Sequence, residues 1–442
     1  MKIRHLLLKL SLVIMVIISL VLSWLIWTNN ARFQRDTTDV ATPKTQTTSK
    51  NVNEVYLPTQ LLTSNETGAK YLVYNNKENL IDALHKKMTK WRFARPQKMN
   101  FTSKSYLAAV NQADAVSLVY PHNISYGVFG KAFKQKVARV NQQRLFNRII
   151  LPAAHADTAY FLNDQHKTGF KVTLRHADQA AIQARLKKTT MRLPVTEKWF
   201  NNRLQMYFLR NVKVTQYSYL VTKQSPTTFV TSLLGGDPSA LETKEQKDLT
   251  TYSDGTYKNL AVDHRKGTVD FEDYSKDIAR KTPTVALTNG HQMLNKIGNT
   301  PGNMRYFDYE TKTHTMVYRS YVEGLPVFNQ TDFGAVKVQL LKNGVKLNFS
   351  LYALQVPLPA DKAATPLPTT QTALDRLSAA GYDLTKITGI KLGYHWGVNA
   401  SSSSVIDLTP TYYYHYNGKW VSFDQLLNPT SDAATTSEER AE

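Results

Sequence analysis

Two groups of side chains carry residue types that could do chemistry. His155, Asp157, Asp164 and His166 are metal-ligating types close together in the chain, but neither their spacing nor their loop-like context matches a defined ligand set, so they read as polar loop residues. Asp263, Asp270, Glu272 and Asp273 offer paired carboxylates of the kind glycoside hydrolysis needs. They alternate with Val262, Val269 and Phe271 as the outer face of a hairpin would, which makes solvent-facing positions the better reading. No HExxH, GxSxG, P-loop or GxGxxG motif occurs, and a chain without cysteine has no thiolate ligand or nucleophile. No enzymatic activity, cofactor or metal is expected.

Charge and aromatic residues suggest surfaces instead. Between Asp114 and Asp157 there is no acid, while Lys131, Lys134, Lys136, Arg139, Arg144 and Arg148 accumulate. The simpler reading is a solvated helix face; the sharper one is an electrostatic docking surface for wall polymer, lipid headgroups or an acidic subunit. Tyr412, Tyr413, Tyr414 and Tyr416 could form a platform for sugars, although tyrosine is also a strong strand former whose alternate members face a core.

The elements that position these residues begin with a membrane segment. After Lys2, Arg4 and Lys9 comes an apolar run from Leu10 to Trp27, interrupted only by Ser11, Ser19 and Ser23. At about 1.5 Å per residue it reaches roughly 27 Å, close to the ~30 Å of a bilayer core. It is too long for a typical cleaved signal and lacks a small-x-small site after it, so an uncleaved anchor is expected. The basic start places the N-terminus in the cytoplasm and the bulk of the chain outside, with Trp24 and Trp27 at the outer interface. Ser11, Ser19 and Ser23 share one helix face where another helix can approach closely, or each bonds its own backbone. Of the net charge of +21, three belong to Lys2, Arg4 and Lys9, leaving +18 on an exported part that favours anionic partners and, being outside the cell, argues against nucleic acid.

Residues 31–53 are polar and read as a tether, and residues 431–442 as a disordered tail. Between them the pattern is α+β, with antiparallel sheets partly covered by helices, in three parts: 54–192, 193–286 and 287–430. Leu80, Ile81, Leu84, Met88 and Trp91 fall on one helix face; Ala177–Lys188, Thr227–Leu234, His291–Ile297 and Thr372–Ala380 are further helices. Strands are expected at Ala115–Tyr120, Phe146–Leu151, Phe170–Leu174, Ile387–Leu392, Thr411–Tyr416 and Trp420–Phe423. Leu193-Pro194 offers a break, while Asp254-Gly255 and Asn417-Gly418 are dipeptides for tight hairpin turns.

The anchor ending Leu20–Thr28, the early Leu57-Pro58, the segment Tyr318–Phe328 with Gly324-Leu325-Pro326-Val327-Phe328, and the late Leu392-Gly393-Tyr394 together resemble the YycH (WalH) family. The resemblance implies a single-pass regulator with a three-domain ectodomain. It also implies partnership with the WalK (YycG) sensor kinase and a YycI-like protein, contacts between transmembrane helices, and a role in cell-wall metabolism. It supplies no catalytic residues. Ser11, Ser19, Ser23, Trp24 and Trp27 are then the expected membrane contacts. The alternative is an anchored binding protein for anionic wall polymer.

Overall fold

The computed structural model describes residues 12, 15–17, 19–20, 50–74, 79–189, 191–235, 240–275, 277–278, 281–298, 303–358, 365–399 and 401–428. Two compact units are present: Met1–Gln46 with Asn76–Asn79, and Thr47–Asn75 with Leu80–Glu442. In the first, residues 12, 15–17, 19 and 20 are helical, and Leu12, Met15, Val16, Ile17 and Leu20 are exposed. Ser19 lies on this helical stretch, whereas Ser11, Ser23, Trp24 and Trp27 lie outside the described residues. No helix among the described residues is long and apolar enough to cross a membrane.

The second unit is built on two large sheets. The ten-stranded first sheet runs from Gln60–Ser64 to Arg203–Phe208 in the chain, with Ala115–Ser125 and Leu145–Pro152 at its centre. Leu193-Pro194 is not a break: Pro194 lies within the strand Arg192–Phe200, opposite Tyr71. The ladder carries through because the Pro194 carbonyl still accepts from the Leu209 N–H at 3.0 Å. The chain thus stays in this sheet through Phe208, past the position expected to end the first part.

The fourteen-stranded second sheet joins the hairpins of Glu242–Asp273 to Ala335–Ser350 and then to Ile387–Tyr416. Its pairing is antiparallel except where Leu325–Phe328 runs parallel to Ile387–Asn399, a departure from the expected all-antiparallel sheets. Asn417-Gly418 makes the expected two-residue turn, with φ of 49° and 81°. Asp254-Gly255 does not. There the loop is longer, and the Asp254 carboxylate accepts from the N–H groups of Thr256, Tyr257 and Lys258 at 3.0, 2.8 and 2.9 Å, so a side chain closes the turn in place of a tight backbone reversal.

The helix Leu80–Met88 buries Leu80, Leu84 and Met88 as its pattern requires. The helix read at His291–Ile297 begins earlier, at Pro283, where a proline in the first turn is tolerated because its missing N–H has no intrahelical partner anyway. Thr227–Leu234 divides into an α-turn, Pro226–Phe229, and a π-turn, Val230–Leu234. The two largest hydrophobic cores cross between sheets: one joins Val55, Leu84 and Phe146 with Leu287, Tyr318 and Val338, and the other joins Leu62 and Val195 with Tyr394 and Tyr412.

Candidate functional site

The sequence-selected polar clusters do not assemble. His155 and Asp157 precede the strand Thr158–Asn163, while Asp164 and His166 follow it, so about 23 Å of extended chain separates the pairs. Among the described residues no group of His, Cys, Asp and Glu could hold a metal ion. The acids Asp263, Asp270, Glu272 and Asp273 fall on a hairpin as expected, but Asp273 is buried and accepts from the Ser275 hydroxyl at 2.5 Å. Lys346 pairs with Glu272 at 2.6 Å and the Asn348 amide donates to Asp270 at 2.8 Å.

Of the basic run, Lys131, Lys134, Lys136 and Arg139 are exposed; Lys131 is in the last turn of the helix Tyr126–Ala132, and the other three follow it on a loop and 3-10 turn, so they do not share one helix face. Arg144 is half-buried. Arg148 does not belong to a docking surface, since it is 2% exposed and points into the first sheet. Its guanidinium meets Glu197 at 2.6 Å and Asp164 at 3.0 Å, while Lys70 meets Glu197 at 2.6 Å. Tyr106 donates to Asp164 at 2.7 Å. Burial pushes the Asp164 carboxyl up, yet the adjacent Arg148 outweighs it and holds the group below the usual range. Arg148 and Glu197 stand four strands apart in hydrogen-bonding order, about 19 Å if the sheet were flat. Their contact therefore requires the sheet to curl around the helix Ser103–Val110. Two cations and two carboxylates neutralise one another inside it, an arrangement that holds shape and has no unpaired charge for acid–base work.

The tyrosine platform is also overturned. Tyr412, Tyr413 and Tyr414 are at most 3% exposed, because both faces of their strand are covered. Tyr412 and Tyr414 enter the second core, and Tyr413 stacks on Phe328 at 4.0 Å.

What the fold does bring together is a junction at which the segment arriving from the N-terminus meets both sheets. Docking begins at Lys50, inside the segment read as a tether. The Lys50 carbonyl accepts from Asn295 at 2.9 Å and lies 2.8 Å from His291 Nε2, while its N–H donates to Asn295 Oδ1 at 3.0 Å. Burial lowers the His291 pKa and also that of the Lys50 ammonium. Arg305 then clamps the Glu54 carbonyl and pairs with Asp82 at 3.3 Å. Tyr56, fully buried, donates to the Leu287 carbonyl at 2.6 Å and lies 2.9 Å from the Tyr318 hydroxyl. Across the same helix, Thr284 Oγ1 lies 2.8 Å from both the Ser125 hydroxyl and the Gln142 carbonyl, and Lys131 donates to Thr288 at 3.0 Å.

Beside this clamp lie three of the short motifs singled out in the sequence. Glu323 and Gly324 take φ of 49° and 77°, the double left-handed turn that sends the chain from Thr315–Val322 back into Leu325–Phe328. A Cβ on Gly324 would meet the Thr59 carbonyl, next to Leu57-Pro58, at 3.5 Å. Val327 and Phe328 pair in parallel with Tyr394 and His395. Arg319, 5% exposed, lies over the Phe328 ring at 4.5 Å and pairs with Asp332 at 3.3 Å. On the far side, His122 Nε2 faces Asp308 at 3.6 Å, with burial lowering its pKa. The clamp residues His291, Asn295 and Arg305 were not singled out in the sequence, because nothing local marks partners more than 240 residues away.

Curled sheets, closed charge clusters and a junction made of contacts define an α+β scaffold. The chain belongs to the YycH family: the model of the YycH protein N-terminal domain matches residues 4–191 and that of its C-terminal domain residues 205–430. This is a family of regulators of the WalK (YycG) sensor kinase. The chain also has the fold of the crystal structure of YycH from Bacillus subtilis, with a TM-score of 0.69 and 17% identity over 85% of this chain and 98% of that one. No curated protein matches.

Proposed function

We propose that this chain is a membrane-anchored regulator of a WalK (YycG) kinase controlling cell-wall metabolism, acting with a YycI-like partner through contacts between transmembrane helices. The observation that carries this reading is the match to both YycH domains, the first of which starts at residue 4 and so includes the apolar segment. In this reading the helix Leu10–Trp27 packs beside partner helices through Ser11, Ser19, Ser23, Trp24 and Trp27. The ectodomain, outside the cell, fixes its orientation. The clamp on Lys50 supports the second half, since the segment it holds runs into the first core through Val55 and Tyr56. A differential contact energy of about 1–3 kcal/mol between two kinase arrangements suffices for such control.

In-cell photocrosslinking from position 19 tests it. Capture of the kinase or of the YycI-like protein is the expected result. Capture of neither, in cells where the chain is present and anchored, sinks the proposal.

A second reading, binding of anionic wall polymer, is favoured by the exposed Lys131, Lys134, Lys136 and Arg139. It predicts salt-sensitive retention of the protein on purified cell wall, and charge reversal at these four positions should abolish that retention.

A further inference from the structure

One groove takes no part in the junction. It lies at the end of the first sheet, encloses about 260 Å³, and has Tyr71, Val116 and Leu186 among its apolar lining. Thr63 lines it as well; the residue is 8% exposed, and its Oγ1 has no hydrogen-bond partner.

The charges around the groove are segregated. Glu66, on the turn between the strands Gln60–Ser64 and Lys70–Val73, and Asp114, just before Ala115–Ser125, supply two carboxylates. Lys187, at the end of the helix Gln179–Lys187, and Arg192, opening the next strand, supply two cations. No ion pair joins any of the four among the described residues. Arg192 is held instead by the carbonyls of Leu186 and Thr189, at 2.7 and 3.2 Å, with its guanidinium 5.8 Å from the centre of the Tyr71 ring. Asp114 is kept at φ 46°, in the left-handed region, by hydrogen bonds from its N–H to the Asn65 carbonyl and from the Ala153 N–H to its own carbonyl.

A simple anion here would be repelled by the acids and a simple cation by the bases, while a ligand carrying both charges satisfies both. The volume lies near the lower end of ligand pockets, so the ligand is small. We propose that this groove binds a short peptide with both ends free, its ammonium toward Glu66 and Asp114, its carboxylate toward Lys187 and Arg192 and its side chain over Tyr71. This site is independent of the kinase-regulation reading and stands or falls without it.

The test is titration calorimetry of the full chain in detergent with alanyl-alanine, its N-acetyl form and its C-terminal amide. Saturable binding of the free dipeptide is expected, weakened about tenfold or more by blocking either end, since each block removes a charge-assisted contact. Asp114→Asn should weaken the free dipeptide but leave the N-acetyl form unchanged, and Lys187→Gln should do the same with respect to the amide. Asparagine tolerates the left-handed backbone, so the first variant keeps the turn. Absence of saturable binding, or equal affinity for the free and blocked dipeptides, overturns the proposal.

Discussion

Gly393 lies flat against Phe328: a Cβ on the glycine would come within 2.7 Å of Phe328 Cε2 and 2.8 Å of the Pro326 carbonyl oxygen. The contact sits where the second sheet's parallel pair forms, and Phe328 in turn stacks on Tyr413. A methyl group there has backbone on one side and a doubly packed ring on the other, so it has no room. Gly393→Ala is expected to destabilise the protein by about 1–3 kcal/mol, the usual cost of overpacking. Gly397→Ala, whose Cβ would meet nothing closer than 3.7 Å, should change little by that mechanism. Denaturant midpoints of the two variants check this, and equal midpoints would remove the close-approach argument.

The Lys50 clamp makes a local prediction. Asn295 exchanges two hydrogen bonds with the Lys50 backbone, so Asn295→Ala leaves the Lys50 N–H to water and its carbonyl with His291 alone, and weakens the docking by about 1–2 kcal/mol. Hydrogen exchange should quicken at residues 50–56 while the helix Leu80–Met88 keeps its protection. If exchange is unchanged across 50–56, the clamp is not what holds the segment.

Glu197 is the shared acceptor for Lys70 and Arg148 inside the curled sheet. Glu197→Gln removes one negative charge and leaves Asp164 to balance two buried cations, at a cost of about 3–5 kcal/mol. Thermal unfolding measures it. A variant as stable as the parent would mean that water already reaches this cluster.

Acid should loosen the fold through its histidines. His85, His291 and His415 each have a pKa lowered, in every case first by burial. The unfolded chain therefore binds more protons than the folded one once the pH drops toward the ordinary histidine value of about 6.5. The stability they contribute is full above that value and is lost as pH falls through it. Urea midpoints are expected to be lower at about pH 5.5 than at about pH 7.5; equal midpoints would show the rings to be accessible to solvent.

Local pattern was enough for the α+β class, the amphipathic helix at Leu80–Met88 and the Asn417-Gly418 turn, because each depends on neighbours a few residues apart. The same local reasoning misjudged Arg148 and the tyrosines. An arginine in a basic run looks solvated, and a strand's alternation implies one open face. Glu197 arrives from 49 residues away to bury the first, and Phe328 from 85 residues away to cover the second.

The apolar N-terminal run, the basic balance, the lack of cysteine and the family motifs are properties of residue order and type, legible without any fold. That Leu57-Pro58, Gly324–Phe328 and Leu392–Tyr394 lie at one junction, and that Lys50 is gripped by a helix 241 residues further on, emerges with the folded chain. Contacts of that range are chosen by which apolar faces can be buried together, and burial is a property of the assembled sheets, not of any segment alone.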